Sequence, residues 1–251
     1  MNGIVLVNGK RQATVSVFER ALQFGDGLFE TLLVRDGQVA FWPLHFQRLS
    51  LGLQRLKMAP IAARLLLDDI AKIKRQHCII KILISRGQSL RGYRFDTDTK
   101  PTRIVICNDV PKLKEYYQLS ICQVRYTHNP MLAGIKHNNR LEQVLARASI
   151  DTDEGVMLDG EGYVISATAA NIFIIKDGVI KTPDLSRCGI QGTRRQIVIE
   201  KTQAKVAQIT LAELLQADEV FLTSTVIGIK KICQIEQRYF SNHQLTDEIS
   251  L

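Results

Sequence analysis

The sequence predicts an α+β protein built in two parts. Three observations carry that reading. Asn-Gly and Asp-Gly turns recur between short apolar runs, and helical periodicity is confined to a few stretches among them. The composition is that of an ordinary globular chain: 251 residues, 45% hydrophobic and 23% charged, long enough to bury a large core. The stretch VPKLKEY, 110–116, reads as a linker. It separates residues 1–112, a small N-terminal α+β domain, from 113–251, a larger C-terminal domain. The many short strands expected in that second part predict a barrel-like sheet.

The elements follow in order. IVLV runs into Asn8-Gly9, the dipeptide favoured by two-residue hairpin turns, and ETLLVRDGQVAFW (30–42) repeats the device around Asp36-Gly37. Leu44, Leu49, Leu53 and Leu56 recur at helical spacing and predict a helix over 43–57, with a second over 61–75. Strands over 78–86 and 102–109 flank RGQSLRGYRFDTDT, a loop too polar for a core. A strand over 118–125 precedes NPMLAGIKHNNRLEQV, whose polar end predicts a helix over 138–150. VMLDGEGYVIS and NIFIIKDGVIKTP read as two more hairpins, followed by a helix over 192–204 and strands over 205–210, 218–223 and 231–236.

Bulk properties exclude several function classes. No run reaches the roughly 18 apolar residues of a membrane span, and MNGIVLVNGKRQ lacks the basic-then-apolar layout of a signal peptide. The five cysteines, Cys78, Cys107, Cys122, Cys188 and Cys233, are scattered without a CxxC pair. That pattern predicts reduced core thiols in the cytoplasm. The net charge of +8 is spread along the chain rather than gathered in one arm, so a small anionic ligand is expected rather than nucleic acid. No residue spacing suggests a metal site.

Five segments carry chemistry. Lys136 stands between an apolar wall (Met131, Leu132, Ala133, Ile135) and a polar run, two residues after Gly134. Desolvation between such surroundings can lower an amine pKa, and a neutral amine can form a Schiff base with a carbonyl. Taken alone, a lysine in such a place is ordinarily a solvated surface residue. Phe24-Gly25-Asp26-Gly27 packs a tight turn between apolar runs. Arg48, on the amphipathic helix HFQRL, has a planar fork suited to phosphate. GIQGTRRQ (189–196) opens a helix with glycines and a threonine, and such a start binds anions through free N–H groups. Thr223-Ser224-Thr225 places hydroxyls after an apolar strand. A reactive amine with several phosphate contacts fits pyridoxal 5'-phosphate.

The ordered pieces FGDGLFET, ISRG followed by RGY (84–87, 91–93), NPxLAGIKHxNRLEQV and AANIF (169–173) resemble the class IV, or fold type IV, pyridoxal-phosphate enzymes over nearly the whole chain. GIKHxNRLEQV and RGY are more similar to the aminodeoxychorismate lyase branch than to the branched-chain and D-amino-acid aminotransferases. The resemblance implies a two-domain fold, with a small sandwich-like N-terminal domain and a barrel-like C-terminal domain carrying the cofactor lysine, and a homodimer. It implies that Lys136 holds the cofactor and moves protons, and that Arg48, Gly192, Thr193 and Thr225 bind its phosphate. It further implies that Thr31 faces the substrate, that Arg91 and Tyr93 meet substrate from a variable loop, and that Asn139 and Arg140 open the helix after the lysine. The implied reaction is elimination from 4-amino-4-deoxychorismate to 4-aminobenzoate and pyruvate, a step of folate biosynthesis.

One position departs from the family. Ser166 stands where relatives carry a glutamate that pairs with the pyridine nitrogen. A serine hydroxyl can donate to a neutral nitrogen but cannot balance a pyridinium charge. Three readings stay open: a neutral ring adequate for elimination, a weakened activity or changed substrate, or a cofactor-binding relative that has lost the reaction. A class IV aminotransferase is the alternative within the family, and Ser166 argues against it.

Overall fold

A computed structural model describes residues 3–249. The chain divides into two compact units, the first comprising the described residues through Pro111 with Ile135–Asn139, and the second Lys112–Gly134 with the described part of the chain from Arg140 onward.

The first unit holds β1 (Ile4–Val7), β2 (Lys10–Arg11), α1 (Arg20–Phe24), β3 (Gly27–Arg35), β4 (Gln38–Val39), α2 (Trp42–Arg55), α3 (Ala63–Ala71), β5 (Cys78–Ser85) and β6 (Thr102–Asn108). Its six strands form one antiparallel sheet in the order β2-β1-β6-β5-β3-β4. The Asn8-Gly9 and Asp36-Gly37 turns close the expected hairpins, with positive φ at all four residues. The central strand, β5, reads CIIKILIS, and Ile80, Ile82 and Ile84 are fully buried. Strand alternation puts Leu28, Glu30 and Leu32 of β3 on one face, where α2 covers them. Gly52 of α2 sits against Leu28, and a Cβ there would meet Leu28 Cδ1 at 2.8 Å.

Glu30 interrupts that apolar face and is 1% exposed. Arg48 Nε donates to Oε1 at 2.7 Å and Arg48 Nη2 to Oε2 at 2.6 Å, while His45 Nδ1 lies 2.7 Å from Oε2. Burial opposes ionisation of Glu30, but the Arg48 charge and the hydrogen bonds from His45 and Arg48 outweigh it and hold the carboxyl at about 2.

The second unit holds β7 (Tyr116–Ile121), α4 (Leu141–Ala148), β8 (Glu154–Leu158), β9 (Val164–Ala167), β10 (Asn171–Lys176), β11 (Val179–Pro183), α5 (Thr193–Thr202), β12 (Lys205–Ala207), α6 (Leu211–Leu215), β13 (Glu219–Ser224), β14 (Gly228–Ile235), β15 (Arg238–Tyr239) and α7 (Gln244–Glu248). The sheet runs β12-β11-β10-β13-β14-β7-β8-β9, with β15 added to β14. β9, at its end, packs back onto β10 and β11, so the sheet curls into a barrel-like form. Ile172, Ile174, Val220, Leu222 and Ile232 fill one core cluster. The alternate residues Phe173 and Phe221 stack at 4.8 Å between ring centroids and pack with Val198 of α5.

Three expectations change. The helix after the lysine begins at Leu141 rather than 138, because Ile135–Asn139 pairs with the first sheet instead. That segment, expected in the C-terminal domain, belongs to the first unit for the same reason. The short helices α1, α6 and α7 were not expected, although Thr210 and Glu213 form a reciprocal capping box at the start of α6. The five cysteines are unpaired, and four of them are buried. Among the described residues no helix is long and apolar enough to cross a membrane.

Glu30→Gln removes the buried carboxylate on which the Arg48 fork and His45 converge, and the expected loss of stability at neutral pH is about 3–5 kcal/mol. A carboxyl whose folded pKa is depressed contributes stability above its unfolded value, here 4.5, and loses it as pH falls toward about 2. The difference in denaturant midpoint between wild type and variant is therefore expected to narrow below about pH 4.5. A difference independent of pH would contradict the assigned charge state.

Candidate active site

Lys136 lies outside the strands and helices, next to the bridge between Leu28 and His137. Neighbours fix it: Phe29 N–H donates to Lys136 O at 2.8 Å, and Asn138 N–H donates to Gly27 O at 3.0 Å. Gly27 accepts this approach because it has no side chain; a Cβ there would meet Ile84 O at 2.2 Å and Asn138 Nδ2 at 2.6 Å. Gly134, at φ +83°, turns the chain just before the lysine, a conformation glycine adopts without strain. The half-buried Lys136 ammonium group stands 4.3 Å from the centroid of the Phe29 ring, within cation–π range. Thr31 shares the Phe29 face of β3 by strand alternation.

Arg48 is oriented by its fork on Glu30, on the opposite face of β3 from Phe29 and Thr31. Asn139 precedes the helix, and its Nδ2 donates to Gly25 O at 3.2 Å, while Arg140 is the N-cap residue of α4. Arg91 and Tyr93 lie on the surface of the loop between β5 and β6, with Tyr93 85% exposed and its ring edge against Phe24 at 5.4 Å.

In the second unit, the start of α5 is built for an anion. Gly192 is its N-cap, no side chain caps it, and no acid stands in its first turn, so its leading N–H groups and dipole favour negative charge. A Cβ at Gly192 would meet Asn171 Oδ1 at 2.0 Å. Asn171 in turn holds the preceding turn, donating to Ile190 O at 2.9 Å, and pairs across the sheet with Thr223. Thr193 is buried, and the Thr223 hydroxyl is buried without a hydrogen-bond partner. Thr225 opens the turn two residues further on. An orphaned buried hydroxyl beside an uncapped helix start fits a phosphate.

Ser166, on β9, is buried, and its hydroxyl is already engaged. It donates to Ala167 O at 2.7 Å, so the Tyr126 hydroxyl, 3.0 Å away, is the donor to Ser166 Oγ. Burial pushes the Tyr126 phenol up against the weaker pull of Ser166. Glu154, the nearby buried carboxylate on β8, accepts from Thr168 Oγ1 and from Thr168 N–H at 3.0 Å. It serves the turn after β9.

Sequence reasoning missed Glu30, Phe29, Tyr126 and the Thr223 hydroxyl's isolation. Glu30 left a signal, a carboxylate at an apolar phase between Leu28 and Leu32. Tyr126 left none, since its partner lies 40 residues away.

Known proteins match this architecture over almost its full extent. Aminodeoxychorismate lyase from Vibrio harveyi is 36% identical, covering 91% of this chain and 90% of that protein. The crystal structure of 4-amino-4-deoxychorismate lyase from Pseudomonas aeruginosa superposes with a TM-score of 0.91 at 35% identity, covering 97% of this chain and 96% of that one. D-alanine aminotransferase from Listeria monocytogenes is 28% identical over 92% of this chain and 87% of its own. The two-domain architecture is that of fold type IV. The amino-transferase class IV profile matches residues 27–235, and the chain belongs to that family.

Proposed function

We propose that the protein is a pyridoxal-phosphate-dependent lyase that converts 4-amino-4-deoxychorismate to 4-aminobenzoate and pyruvate in folate biosynthesis. The observation that carries this reading is Lys136, pinned by backbone hydrogen bonds and set over Phe29, in a chain of this likeness to aminodeoxychorismate lyases. When bound, pyridoxal phosphate supplies an electron sink conjugated to the substrate amine.

The chain's own groups do the rest. Gly192, Thr193 and Thr225 bind the phosphate with Arg48, whose fork Glu30 orients. Lys136 would hold the cofactor through its amine, and the same amine takes the proton from the ring carbon bearing the substrate amine. The carbon–oxygen bond to the enolpyruvyl group breaks, the ring becomes aromatic, and the Lys136 ammonium returns its proton to the departing enolpyruvyl carbon. Thr31 faces the substrate. Arg91 and Tyr93 meet it from the loop, with the guanidinium suited to a carboxylate. Ser166 takes the position opposite the ring nitrogen. Its proton lies on Ala167 O, so donation to a neutral nitrogen exchanges one bond for another and no charge is supplied. Elimination with aromatisation asks less of the electron sink than aminotransfer does, which favours the lyase over the aminotransferase alternative.

The partner is a second copy. Leu141, Val144 and Leu145 give α4 an exposed apolar stripe, 59–75% exposed, and such a patch on a soluble chain supports self-association. The location is the cytoplasm. Neither a metal nor nucleic acid takes part.

Incubation with 4-amino-4-deoxychorismate is expected to yield 4-aminobenzoate and pyruvate in equal amounts; neither product from yellow, cofactor-loaded protein would sink the reading. Lys136→Ala is expected to abolish the visible absorbance of lysine-bound cofactor and to lower kcat by at least about 10²–10⁴-fold. Ser166→Glu is expected to raise aminotransfer to 2-oxoglutarate by about tenfold and to shift the cofactor spectrum. Unchanged spectrum and rate would place Ser166 away from the ring nitrogen. Leu145→Asp is expected to halve the mass measured by light scattering, and an unchanged mass would leave the stripe without its proposed partner.

A further inference from the structure

A buried arginine outside the proposed machinery clamps the substrate loop. Arg20, the first residue of α1, is 2% exposed. Its Nη1 donates to Ser89 Oγ at 2.9 Å, to Gly92 O at 3.0 Å and, more weakly, to Arg94 O at 3.4 Å, and its Nη2 donates to Tyr93 O at 3.0 Å. Three consecutive carbonyls of one loop therefore converge on one guanidinium. Residues 86–101 form no strand or helix that could order those carbonyls otherwise.

The clamp is itself held. Arg20 Nε donates to Asp26 Oδ2 at 2.8 Å, and the same carboxylate accepts from Arg86 Nε at 2.7 Å and Arg86 Nη2 at 3.0 Å. Arg86 also donates to Leu56 O and Lys57 O, tying the assembly to the end of α2. Burial opposes the Asp26 charge, but hydrogen bonds from Arg86 and Arg20 prevail and hold its carboxyl below the usual range. Aromatic rings cover the cations: Phe24 lies 4.9 Å from Arg20 Cζ, and Phe95 lies 3.7 Å from Arg86 Cζ. Tyr93 rests its edge on the same Phe24 ring.

We propose that Arg20 is a positioning residue for the substrate: by fixing the carbonyls of residues 92–94 it sets the direction in which Arg91 and Tyr93 are presented to a carboxylate-bearing ligand. This rests on Arg91 and Tyr93 being substrate contacts. Arg20 acts through them. A lysine cannot replace it, because three donors on a single ammonium cannot reach Asp26 and the three carbonyls together.

The test uses the cofactor-loaded enzyme. In Arg20→Lys, tryptic cleavage after Arg91 and Arg94 is expected to accelerate about tenfold. The KM for 4-amino-4-deoxychorismate is expected to rise about tenfold, with kcat within about threefold and cofactor absorbance unchanged. Ser89→Ala removes one acceptor from the loop without disturbing the buried cluster, and it is expected to move both readouts in the same direction by about twofold to threefold. It stands in if Arg20→Lys does not fold. Cleavage at the wild-type rate overturns the clamp. Faster cleavage with unchanged KM, or a fall in kcat alone, overturns the positioning role. Should wild type release no 4-aminobenzoate at all, the proposed reaction fails while the cleavage rates still decide the clamp.

Discussion

Two backbone hydrogen bonds, from Phe29 N–H to Lys136 O and from Asn138 N–H to Gly27 O, make five residues of the C-terminal half part of the N-terminal sheet. The neighbouring structure answers to that pairing. Gly27 must lack a side chain, Gly134 must turn through positive φ, and α4 cannot begin until Leu141. The lysine at the middle of the segment is thereby placed by main-chain geometry, with Phe29 beneath its amine. Placement by scaffold elements fixes the base of a side chain more tightly than a loop does.

Much of the fold was legible because short-range rules governed it. The Asn-Gly and Asp-Gly turns, the β8–β9 and β10–β11 hairpins and the amphipathic α2 all follow from local pattern. The membership of Ile135–Asn139 was not legible, since five residues carry no period that distinguishes one sheet from another. The capping box Thr210–Glu213 was present in the sequence and marks a helix too short for its apolar period to register. For the candidate site, residue types sufficed to single out Lys136, Arg48, Gly192 and Thr193. Their supports, Glu30, Phe29 and Tyr126, depend on tertiary neighbours.

Interior polar groups at these positions are accommodated in two ways. The first unit uses ion pairs in compact groups, Glu30 with Arg48 and Asp26 with Arg20 and Arg86. Each charge there has a charge-assisted hydrogen bond, the condition under which buried ions are tolerated. Around Ser166 and Thr223 the second unit uses neutral hydroxyls, which cost less to bury and can change partner by rotation. Gly192 leaves room there for the Asn171 side chain, and Gly189 for Ile165 and Leu185.

The Ser166–Tyr126 hydroxyl pair also bears on the proton inventory of the interior. A glutamate there would carry charge that changes with acidity; two hydroxyls, one of them a phenol pushed up by burial, stay uncharged across the neutral range. These two side chains therefore add no charge that changes with acidity near neutrality.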